Sequence, residues 1–95
     1  MLNEKIFDEV KRLLINITYA EGMMQKYVND YMDTGNKESY DGWKSFQSYA
    51  VGQGNKVQGI FFAVEAIEGI TLRYFFNNNK VVLYADDVVI WEKVR

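Results

Sequence analysis

Asp86 and Asp87 are two acidic side chains that stand side by side between apolar runs, in Leu83-Tyr84-Ala85-Asp86-Asp87-Val88-Val89-Ile90-Trp91. Paired carboxylates can hold a divalent cation or share a proton. They matter more here because the 95 residues include no His and no Cys. Thiolate nucleophiles, His general bases, zinc sites, disulfides and a Ser-His-Asp triad are therefore excluded. Any catalysis would fall to carboxylates, Lys, Tyr or Ser.

Tyr84-Ala85-Asp86-Asp87 resembles the metal-binding signature of reverse transcriptases. In those enzymes two carboxylates on a hairpin turn hold Mg²⁺ for nucleotide transfer. The resemblance raises polymerase chemistry, and a carboxylate- and magnesium-dependent nuclease using Asp86 and Asp87 is the alternative from a different function class. The resemblance covers only these residues, and two-metal chemistry needs further carboxylates converging from other strands. Asp8, Asp30, Asp33 and Asp41 fall in helical or linker patterns, and Glu65 and Glu68 lie in another segment. A plain turn accounts for the pair, since Asp bonds neighbouring backbone N–H groups. The expectation is a hairpin turn, with no metal, no cofactor and no catalytic residue.

Other candidate chemistry has an ordinary reading too. Gly52, Gly54 and Gly59 do not have the spacing of a dinucleotide or Walker phosphate loop. Lys44 and Ser48 share a helical face, as many solvated pairs do. Asp30, Asp33 and Asn36 do not match a calcium loop. The Asn16-Ile17-Thr18 sequon lies inside a helical pattern. Net charge is −2, all of it in residues 1–50, which gives no electrostatic basis for binding nucleic acid. Stacking of single strands on exposed rings would need Arg73, Lys80 and Lys56 beside them. No apolar run approaches the length of a membrane span. The N-terminal pattern is not that of a signal peptide, and the cytoplasm is the default location.

These residues must be held by a single α+β domain. Ile6, Val10, Leu13, Leu14, Ile17, Ala20, Met24, Tyr27, Val28 and Tyr31 recur at helical spacing. They predict a helix over about 4–33, with Asn3 as N-cap and Gly35 as C-terminal cap. Gly22 is the natural place for a kink, and Asp8 and Arg12 can pair one turn apart. A second helix is expected over about 39–51, capped by Ser39 or Asn36 and ended by Gly52, with 52–55 as a loop. Strands follow over about 57–67, 70–76, 80–84 and 88–94, joined by a turn at Asn77-Asn78-Asn79 and another at Asp86-Asp87. The architecture is two N-terminal helices packed on a three- to four-stranded antiparallel meander.

Aromatic residues make up 16% of the chain, seven of them Tyr. Phe61-Phe62, Phe75-Phe76, Val81-Val82 and Val88-Val89 are adjacent apolar pairs. Neighbours in a strand point to opposite faces, so the sheet should be apolar on both sides, unlike a one-sided antiparallel sheet. Helices packed on one side would leave the other as an exposed apolar patch, which monomers rarely carry. The expected function is a small non-enzymatic protein–protein interaction module that self-associates through this face. Phe61, Phe75, Tyr74, Tyr84 and Trp91 are the candidate contact residues, and a homodimer or another protein is the partner. A small inhibitor of the kind encoded by phages or mobile elements, blocking a host or defence enzyme, is the alternative.

Overall fold

A computed structural model describes residues 2–77 and 80–95. Helix α1 spans Glu4–Thr34 and α2 spans Lys37–Glu68. Strands β1 (Leu72–Phe76), β2 (Lys80–Ala85) and β3 (Val88–Val94) follow. The sheet is antiparallel, in the order β1-β2-β3. The α+β architecture and the meander expected from the sequence are present, with three strands.

α1 begins and ends on the expected signals. The Asn3 side chain accepts from the Lys5 and Ile6 backbone N–H groups. Gly35 adopts φ 67° and returns its N–H to the Tyr31 carbonyl, a conformation that costs glycine little. Gly22 lies inside this continuous helix. Asn36 then caps α2 by accepting from Glu38 N–H at 3.0 Å. Gly35 and Asn36 alone join two helices of 31 and 32 residues, so the helices run back along each other as a hairpin.

The main correction concerns residues 52–67. The sequence pattern predicts that α2 ends near residue 51 and that 57–67 form a strand. Instead α2 continues through Gly52, Gly54 and Gly59 to Glu68, and Gly69 (φ 71°) is its C-terminal cap. The reason is burial. Val57, Phe61 and Val64 recur at helical spacing, and all three are buried. Their packing outweighs the poor helix propensity of the glycines, about 1 kcal/mol each relative to Ala. A smaller correction concerns the outer face of α1. Arg12 bonds Glu9 rather than Asp8, and Asp8 pairs with Lys11 at 3.1 Å. The hydrogen bond from Arg12 holds the Glu9 carboxyl below its ordinary value.

The core joins Val10, Leu13, Leu14 and Ile17 of α1, Val57, Phe61 and Val64 of α2, and Leu72, Val81 and Leu83 of the sheet. Leu13, Leu14 and Leu83 are completely buried, each contributing about 1.5–3 kcal/mol relative to an exposed side chain. The predicted turn at Asn77-Asn78-Asn79 falls mainly on residues outside those described. On its flanks, Asn77 N–H donates to the Lys80 carbonyl and Lys80 N–H donates to the Asn77 side chain.

Candidate functional site: the outer face of the sheet

The register sorts the strand residues onto two faces. Leu72, Tyr74 and Phe76 of β1 stand opposite Ala85, Leu83 and Val81 of β2 and face the helices. Arg73 and Phe75 stand opposite Tyr84 and Val82 and face outward. On β3, Val89 pairs with Tyr84, Glu92 with Val82 and Val94 with Lys80, extending the outward face. A bulge between these pairings inserts Ile90. Ile90 and Trp91, though consecutive, both pack against the core, a local breach of strand alternation that bulges produce.

Both helices lie against the inner face. The outer face therefore presents Phe75, Tyr84, Val89 and Val94 to solvent. Phe75 is 59% exposed and Val94 76%. Val82 is buried on this same side, because Phe75 and Glu92 flank it on the neighbouring strands. Ion pairs border the apolar centre. Arg73 bonds the Asp87 carboxylate, and Lys80 reaches Glu92 at 3.0 Å. The result is an apolar patch of Phe75, Val82, Tyr84 and Val89, with the Lys80–Glu92 pair separating it from Val94.

The five residues picked out from the sequence divide between the two faces. Phe75 and Tyr84 lie on the outer face, beside each other with Arg73. Tyr74 is half-buried on the inner face, edge-on to Phe61 at 5.9 Å and to Phe76 at 5.3 Å. Trp91 packs against the core. Phe61 is in the core on α2, 6% exposed, and its neighbour Phe62 is the exposed ring, at 77%. The adjacent Phe pairs do split between inside and outside, the first on a helix and the second on a strand. Val89 and Val94 were missed as outer-face residues, and the bulge explains this. Its extra residue shifts the phase of β3, so alternation counted from either end gives a wrong answer at the other.

Asp86 and Asp87 form the expected turn. Their φ angles are 48° and 67°, the two positive values of a type I′ hairpin. Asp86 is held by Thr71, the residue just before β1. Its N–H donates to the Thr71 carbonyl at 2.9 Å, and its carboxylate accepts from Thr71 N–H at 3.0 Å. With Asp87 bonded to Arg73, both carboxylates hold the β2–β3 turn against the start of β1. Among the described residues, no three acidic side chains gather into a metal-binding group, and no helix is long and apolar enough to cross a membrane.

The chain matches no known protein family, no curated protein and no solved structure.

Proposed function

We propose that the protein is a non-enzymatic interaction module that docks a partner protein on the outer face of its sheet. The observation that supports this most is the placement of both helices on one side. It leaves an apolar patch of Phe75, Val82, Tyr84 and Val89 across the three strands, with Phe75 projecting from the edge strand β1. An aromatic anchor surrounded by polar groups that exclude water is the usual form of a binding hot spot. The paired charges at the rim, Arg73–Asp87 and Lys80–Glu92, present little unmatched charge to a docking surface.

The test uses substitutions on opposite sides of one strand. Phe75→Ala should leave the melting temperature within a few degrees of wild type and weaken partner capture by about thirtyfold, as expected for a hot spot. Phe76→Ala, on the inner face, should instead lower the melting temperature. Partner capture that survives Phe75→Ala and Tyr84→Ala in a folded protein would defeat this reading.

A further inference from the structure

The helical hairpin has one face turned toward the sheet, and the sheet covers only part of it. The buried apolar residues of α1 run from Val10 to Ala20, and those of α2 from Val57 to Val64. At the sheet's margin, Arg95 bonds Glu21 and lies over the Phe76 ring. Beyond Arg95 the apolar face continues toward the interhelical loop. Met24 and Val28 follow Ile17 and Glu21 at helical steps, and Trp43 stands two heptads before Val57 on α2. Met24, Val28 and Trp43 line an open groove that begins at Arg95.

The chain as a whole is elongated, with extents of 49 × 23 × 18 Å. The chain exposes 6455 Å², whereas a compact monomer of 11.1 kDa exposes about 5,700 Å². Its radius of gyration is 15.5 Å, against about 12 Å for a compact domain of this length. The excess surface is close to the roughly 800 Å² that each partner contributes to a stable interface of standard size.

We propose that a second copy of this chain covers the groove, arm on arm, in an antiparallel four-helix bundle about a two-fold axis. The half-buried Met24, Val28 and Trp43 continue the internal helix–sheet interface, and Glu21, Gln25 and Arg95 edge them, so a copy of this self-complementary surface is a suitable cover. Charge sets the direction. The loop end carries Asp30, Asp33, Glu38 and Asp41 against Lys37. Parallel arms would bring two such ends together. Antiparallel arms keep the two acidic ends apart, each beside the Arg95–Glu21 pair of the other copy. The two-fold axis then passes near Val28, and the sheets stand at opposite ends with their outer faces free. This surface is separate from the proposed partner site.

Sedimentation equilibrium from micromolar to several hundred micromolar protein tests the proposal. The wild type should dimerise. Trp43→Ala should raise the dissociation constant about thirtyfold, and Met24→Gln with Val28→Gln should give monomer with unchanged helical circular dichroism. Phe75→Asp should sediment as wild type does. Because the chain has no Cys, oxidation of Val28→Cys should yield one covalent dimer, a readout that stands even if the polar variants unfold. A wild type monomeric at the highest concentration overturns the proposal. So does a dimer abolished by Phe75→Asp, or a Val28→Cys protein that does not cross-link.

Discussion

The same two helices behave differently along their length. Near the sheet they bury Val, Leu, Ile and Phe, with Val10, Leu13, Leu14 and Val57 fully enclosed. Among the described residues between Glu21 and Gly52, Ser39 alone is buried, and its hydroxyl donates to the Asp30 carboxylate. In place of a core the arm has a seam of rings. Phe46 contacts Tyr19 and Tyr27, both at 5.9 Å, and Tyr40 lies between Tyr31 and Trp43. Two layers of secondary structure are needed to enclose aliphatic side chains. Where the sheet supplies the second layer, aliphatic side chains are enclosed. Where it stops, large amphipathic rings are the side chains that can cover one helix and still meet water.

The contrast is tested most severely by cutting into each region. Leu14→Ala should cost about 2–5 kcal/mol, much of the stability of so small a domain. Tyr31→Ala in the arm should cost about 1 kcal/mol. Urea denaturation measures both, and equal losses would erase the distinction. Gly42 offers a finer cut within the arm. A Cβ there would meet the Tyr27 ring at 2.6 Å, so Gly42→Ala should destabilise by about 1–2 kcal/mol despite its better helix propensity. At Gly22 and Gly59 a Cβ meets nothing within 4 Å. Alanine at either position should stabilise by up to about 1 kcal/mol, visible as a higher urea midpoint. The smallest effect belongs to the hairpin turn. Asp86→Asn with Asp87→Asn keeps an acceptor for Thr71 and suits positive φ, so stability should change by less than about 0.5 kcal/mol.

The capping signals were legible because they are local. Asn3, Gly35 and Asn36 satisfy backbone groups within a turn of themselves, and their types announce it. The far half of α2 was not legible for the opposite reason. Gly52, Gly54 and Gly59 argue locally for a loop, and Ile60-Phe61-Phe62 argues for a strand. What overrules both is the burial of Val57, Phe61 and Val64 against residues from α1 and the sheet. The outer face was half legible. Phe75 and Tyr84 follow from simple alternation along β1 and β2, whereas the bulge at Ile90 conceals Val89 and Val94. The bare arm was hidden altogether, because Met24, Val28 and Trp43 have the spacing of core residues. Nothing in the sequence says where the sheet runs out.

The Gly35-Asn36 loop lies at the weakly packed end of the hairpin, and this has a consequence for the order of folding. Contacts beside the loop, such as Tyr31 with Tyr40, close the shortest length of chain and lose the least entropy in forming. They are also the contacts that bury least. The residues that buy stability, Val10 to Ile17 with Val57 to Val64, are far apart in the chain and must find each other across both helices. Zippering outward from the loop therefore gains little until the remote ends and the strands arrive, and the barrier is crossed there. Substitutions at Tyr31 or Tyr40 should accelerate unfolding while leaving refolding near the wild-type rate, and those at Leu14 or Phe61 should slow refolding itself.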